Sequence, residues 1–176
     1  MKSLKQPLAV ACAGFCAALA AVPVQAAVQP YAEVGYAWLT LSSDGYNVTT
    51  GDLVGRLGYD FTKNFGGEFF GATSVASGDL YGVTVNVDDV YGGYLKLHTE
   101  TARDFELFAK AGWVHATVKA SVPGFAASSS DSSFSYGIGM QYKFTDKMYM
   151  QGDYMSYYSK DGDTIKGPSI SLGYLF

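Results

Sequence analysis

The chain has 176 residues, a formal net charge of −4 and 48% apolar residues, with 14 tyrosines, 11 phenylalanines and 21 glycines. That length fits one domain, and the mildly acidic balance excludes the basic face that nucleic-acid binding requires.

The first element is a secretory signal. Lys2 and Lys5 precede an uncharged, Ala-rich run from Leu8 to Val22, followed by Pro23-Val24-Gln25-Ala26. Small residues at Val24 and Ala26 place cleavage after Ala26. The expected organisation is a signal peptide over residues 1–26 and one domain over 27–176. Cleavage leaves 150 residues (176 − 26) and a charge of −6, because both lysines leave and no acid does. It also removes Cys12 and Cys16, so the mature chain has no disulfide and no cysteine metal site.

Eight segments with period-two alternation follow. Tyr31 to Leu41 sets Val34, Tyr36 and Trp38 against Glu33. Thr50 to Phe61 sets Leu53, Leu57 and Tyr59 against Arg56. Phe65 to Ser74 sets Phe65 and Phe69 against Glu68, and Asp89 to Thr99 sets Tyr91, Leu95 and Leu97 against Lys96. Phe105 to Ala120 sets Leu107, Ala109 and Trp113 against Glu106 and Lys110. Ser132 to Phe144 alternates most clearly, with Phe134, Tyr136, Ile138, Met140, Tyr142 and Phe144 opposite Ser133, Ser135, Gly137, Gly139, Gln141 and Lys143. Met148 to Lys160 sets Met150 and Tyr154 against Gln151 and Asp153, and Ile165 to Phe176 sets Ile170, Leu172, Tyr174 and Phe176 against Ser169, Ser171 and Gly173.

The connections alternate in length. Those at 62–64, 100–104 and 145–147 are short and polar, whereas Ser42 to Thr49, Val75 to Asp88 and Ser121 to Asp131 are longer. Short turns at one end and long loops at the other predict an all-β, eight-stranded antiparallel up-and-down transmembrane barrel. Segments of roughly ten residues suit a tilted crossing.

Periodicity alone leaves the facing open, since a soluble ligand-binding barrel alternates in the same way. Two features favour the membrane facing. Glu33, Arg56, Glu68, Lys96, Lys110, Gln141 and Asp153 share the polar face, and most lie at one height above the short turns, as a packed interior network requires. Aromatics form two bands: Tyr59, Phe61, Phe65, Phe105, Phe144 and Phe176 near the short turns, and Trp38, Trp113, Tyr154 and Tyr158 toward the long loops.

With these segments the chain resembles the small outer-membrane β-barrel family of the OmpA/OmpX type. The resemblance rests on Tyr31-Ala-Glu-Val-Gly-Tyr, Val54-Gly-Arg-Leu-Gly-Tyr-Asp-Phe with Phe65-Gly-Gly-Glu, Leu107-Phe-Ala-Lys-Ala-Gly, Tyr136-Gly-Ile-Gly-Met-Gln-Tyr and the aromatic C-terminus. It implies that Leu172, Tyr174 and Phe176 form a signal for the barrel assembly machinery, although Ser171 stands where the family often has Gly. It also implies a bacterial outer-membrane location, contact with outer-membrane lipid and lipopolysaccharide, and passage on periplasmic chaperones. Surface ligands would be met through the loops.

The two histidines are the candidates for catalytic chemistry. In lipid A deacylases of such barrels His and Ser lie two residues apart, whereas His115 is followed by Ala116-Thr117 and His98 by Thr99-Glu100. No catalytic, metal or cofactor site is expected, and two separated histidines fall short of a zinc set. The loop acids Asp44, Asp79, Asp88, Asp89, Asp131, Asp161 and Asp163 read as solvated turn formers. The sequence therefore predicts a non-enzymatic monomer with a structural or surface-interaction role and an interior plugged by ion pairs. A narrow channel, a lipid A-modifying enzyme and a soluble periplasmic barrel are the alternatives.

Overall fold

A computed structural model describes residues 29–43, 46–76, 78–80, 83–102, 104–122, 125–160 and 162–176. The expected signal peptide and its Ala26 cleavage point lie outside the described residues.

The strands are β1 (Gln29–Ser43), β2 (Tyr46–Asp60), β3 (Phe65–Ala76), β4 (Gly78–Leu80), β5 (Val83–Ala102), β6 (Phe105–Val122), β7 (Phe125–Lys143), β8 (Met148–Lys160) and β9 (Asp163–Leu175). They form one sheet in the order β3-β2-β1-β9-β8-β7-β6-β5-β4, and β3 also pairs with β5, which closes the ring. The three-residue β4 pairs with the start of β5 as an appendage. The wall itself is an eight-stranded antiparallel barrel. Closure matters physically, because a spanning sheet with a free edge leaves backbone groups unpaired in lipid. Among the described residues no helix is long and apolar enough to cross a membrane.

The first and last strands meet at Tyr31↔Leu175, and the Phe176 amide donates to the Pro30 carbonyl at 3.0 Å. Two of the short turns repeat one device. The Phe61 and Thr62 amides donate to the Phe65 carbonyl, and the Phe144 and Thr145 amides to the Met148 carbonyl. In each turn the threonine hydroxyl, Thr62 or Thr145, accepts an amide from two residues on, as turn-forming hydroxyls do.

The long-loop end differs from the sequence expectation. The segments Val75–Asp88 and Ser121–Asp131, read as loops, are mostly strand. Ser128, Ser129, Ser130 and Asp131 pair in register with Lys119, Val118, Thr117 and Ala116, so only positions 123 and 124 separate β6 from β7. The Ser-rich composition suggested a loop, but the ladder is made by the backbone, which serine supplies as well as valine. As a result β5, β6 and β7 run 20, 18 and 19 residues, against 12 to 15 for the other wall strands. These three strands stand well above the rest of the wall.

Candidate functional site

The outer face is an apolar belt. Val34, Leu53, Leu95, Leu97, Ile138, Met140, Ile170 and Leu172 are exposed, and Ile138, midway along its outward row, is 69% exposed. Phe61, Phe65, Phe144 and Phe176 are exposed near the short turns, and Trp38, Trp113 and Tyr154 toward the other end. Tyr59, Phe105 and Tyr158 are only half-exposed. Trp113 packs edge-on against Phe134, with ring centroids 5.2 Å apart. Such a surface is stable only against lipid, since a water-soluble protein does not expose a continuous apolar band.

The lumen holds all seven residues of the expected polar network, each buried. Arg56 of β2 is the hub. Its guanidinium lies 3.3 Å from Glu33 of β1, 3.6 Å from Glu68 of β3 and 3.1 Å from Asp153 of β8. Lys110 of β6 donates to both Glu68 oxygens at 2.7 Å and lies 4.0 Å from Asp153. Lys96 and Gln141 sit apart from this hub. The Lys96 ammonium donates to Gln141 at 3.3 Å and lies 4.9 Å above the Tyr31 and Phe108 rings. Gln141 in turn donates to Glu106.

Several members of the network were not singled out from sequence. The Tyr31 hydroxyl donates to Glu68 at 2.9 Å and the Tyr149 hydroxyl to Glu33 at 2.7 Å. Gln151 donates to Glu33 and Asp153. Ser169 accepts from Arg56 and donates to Asp153, while Ser171 accepts from Arg56 and donates to Glu33. Tyr31 shares the inward parity of Glu33 on β1, Tyr149 and Gln151 share that of Asp153 on β8, and Ser169 and Ser171 lie on the polar face of β9; that parity is the signal that finds them. Ser171 stands where the family motif often has glycine, and its hydroxyl serves the lumen. Each tyrosine faces a glycine across the ladder, Tyr31↔Gly58 and Tyr149↔Gly173. A Cβ at either glycine would run into the tyrosine ring.

Above the charged tier, toward the long strands, the lumen is apolar. Ala37, Leu39, Val54, Phe70, Ala72, Val90, Val114, Ala116, Met155, Tyr157 and Ile165 form one buried cluster with Tyr94, and Phe70 stacks on Tyr157 at 5.3 Å. The sequence reading expected a plug of ion pairs, and the apolar tier is an addition to it. The interior is sealed by two tiers of different chemistry. Desolvated charges hold only when mutually satisfied, and the apolar tier keeps water from the side of Arg56 that faces it.

His98 and Glu106 lie at the short-turn mouth. The His98 Nδ1 contacts Glu106, and its Nε2 lies 3.4 Å from Asp60. His115 is elsewhere, half-exposed on the outer face, and pairs with Ser132 at 3.0 Å. The two histidines do not converge. Among the described residues no group of three His, Cys, Asp or Glu is placed to hold a metal ion. At the C-terminus Leu172, Tyr174 and Phe176 all face outward and exposed, and the Lys147 ammonium sits 5.7 Å over the Tyr174 ring.

Comparison with known proteins agrees with this geometry. The profile described as "Outer membrane protein beta-barrel domain" matches residues 8–176. No curated protein sequence matches significantly. Among solved structures, Ail, the attachment invasion locus protein of Yersinia pestis, in complex with the heparin analogue sucrose octasulfate, is 19% identical with a TM-score of 0.67, covering 85% of this chain and 99% of Ail. The N-terminal β-barrel domain of Pseudomonas aeruginosa OprF is 13% identical with a TM-score of 0.63, covering 84% and 97%. Neisserial surface protein A is 13% identical with a TM-score of 0.60, covering 83% and 95%.

Proposed function

This chain belongs to the outer membrane protein beta-barrel domain family, and from that premise we propose that it is a sealed outer-membrane anchor whose working part is the raised β5–β7 sheet, serving a structural or surface-interaction role. The single observation that carries the reading is the filled lumen. A wall of eight strands leaves room for side chains and little else, and here both tiers fill it. With the interior closed, what remains to act is the outer end.

The chemistry of that end supports one class of surface partner. By sequence it carries Asp44, Asp79, Asp88, Asp89, Asp131, Asp161 and Asp163 against Lys119, Lys160 and Lys166, and Lys160 lies 2.6 Å from Asp131. The balance favours a neutral or cationic surface over the sulfated type of ligand seen on Ail. The exposed Leu172, Tyr174 and Phe176 support their reading as an assembly signal, and the acidic rim supports contact with lipopolysaccharide bridged by divalent cations. Residues 1–26 are read as a signal peptide that routes the chain to chaperones and the barrel assembly machinery. Mass measurement of the protein from outer membranes tests that, with an N-terminus at Ala27 expected.

The decisive experiment is planar-bilayer recording of refolded protein beside adsorption to immobilised heparin. No reproducible unitary steps and no retention on heparin at physiological salt are expected. Stable steps would replace this reading with a narrow channel.

A further inference from the structure

At the short-turn end the lumen opens into a cavity of about 150 Å³, room for roughly five waters at their liquid volume. His98 stands at its wall. The backbone of His98 is fixed on both sides, its amide donating to the Asn64 carbonyl and its carbonyl accepting from the Asn64 side chain, each at 3.0 Å. The ring is buried and has a carboxylate at each nitrogen: Glu106 of β6 at Nδ1 and Asp60 of β2 at Nε2.

A neutral imidazole has one N–H donor and one bare nitrogen, and a carboxylate donates nothing to a bare nitrogen. Only the imidazolium, with two N–H groups and a positive charge, turns a proton and not a lone pair toward both neighbours at once. We infer that His98 is a charged pin across the short-turn mouth, tying β2 to β6 through its doubly protonated ring and releasing one side when the ring loses a proton to solvent.

The other charged and titratable groups at the mouth fit this role. From β5 itself comes Lys96, and from the first short turn Lys63. Lys143 of β7 lies 3.7 Å from Glu106, while Tyr31 of β1 and Tyr149 of β8 line the far side. Lys96 is engaged with Gln141 and two aromatic rings. Asp60 Oδ1 and His98 Nε2 make no hydrogen bond among the described residues, and they face each other at 3.4 Å, so a charge on the ring is what would hold the pair. Losing the ring proton leaves Asp60 or Glu106 facing a lone pair, and the mouth loosens from β2 or β6.

The chain has two histidines, which makes the test direct. Ring nitrogen NMR of the full, refolded protein is recorded at about pH 8, where a free imidazole of pKa near ~6.5 is almost entirely neutral. His98 is expected to show two protonated nitrogens, its signals told apart from those of His115 through H115Q. A neutral pattern for His98 overturns the inference. In a second measurement, the temperature at which the unboiled gel band converts to the boiled one is followed from about pH 8 to about pH 10. The wild type is expected to fall by several degrees more than H98Q, whose side chain has no such proton to lose. Equal falls overturn the pin.

Discussion

Arg56 and Asp153 meet across the lumen at 3.1 Å, joining β2 to β8 through the interior and not through the wall. The same guanidinium also serves Glu33 and Glu68. Removing it leaves three buried carboxylates with Lys110 as the nearest remaining cation. Arg56→Met is expected to cost about 3–5 kcal/mol, the range for breaking a buried ion pair from one side, read from urea unfolding in lipid vesicles. Adding Asp153→Asn removes one stranded charge and recovers part of the loss. A variant as stable as wild type would show that this tier does not hold the barrel.

The Tyr149 ring occupies space that Gly173 leaves open, and a Cβ there runs into it. Gly173→Val is expected to push the ring aside and take its hydroxyl from Glu33, at a cost of about 1–3 kcal/mol. Gly152 is the control. A Cβ added there meets nothing nearer than the Ser169 carbonyl at 3.9 Å, so Gly152→Ala is expected to be near neutral in the same unfolding assay.

The lipid face makes a depth-dependent prediction. Ile138 lies midway along the outward row of β7, and Met148 lies at the short-turn rim. An arginine at position 138 is expected to cost about 2–4 kcal/mol and one at position 148 about 0–1 kcal/mol. Equal costs at both sites, measured by refolding into vesicles, would mean that the belt does not sit in the bilayer as its exposure pattern requires.

Above the belt, three residues past Phe134, Asp131 accepts from Lys160 at 2.6 Å and from the Tyr158 hydroxyl at 3.1 Å. The Lys160 ammonium beside it, with the Ser132 amide, holds its carboxyl below the usual aspartate range. A lowered folded-state pKa gives a contribution present at neutral pH and lost as pH falls through that value. Protection of the Lys160 and Asp163 amides, taken relative to their intrinsic exchange rates, is therefore expected to fall below about pH 4, the ordinary aspartate range, and to be low throughout in D131N.

The alternation in residues 132–144 made the barrel legible in sequence, because every second side chain there is large and apolar. The charged tier was legible for the same reason, since Arg56, Glu68, Lys96 and Lys110 each interrupt an apolar row. The upper lumen was not. Leu39 follows Trp38, and Phe70 follows Phe69, so inward and outward positions are both apolar and the period of two vanishes from composition. The shifts of register at Gly51/Asp52 and Ser156/Tyr158 further break the count of parity. Tyr31 and Tyr149 read as ordinary strand aromatics until the β1–β2 and β8–β9 registers set each against a glycine.

The lumen network also bears on the order of events during insertion. Glu33, Arg56, Glu68, Lys96, Lys110, Gln141, Asp153 and Ser169 come one from each of the eight wall strands, from β1 to β9 with β4 left out. A partly inserted sheet thus holds charges whose counterparts have not arrived, and in a bilayer those groups have no water to turn to. The tier completes only when β9 meets β1. A barrel that closes with a strand missing or slipped strands a charge, and is the less stable product.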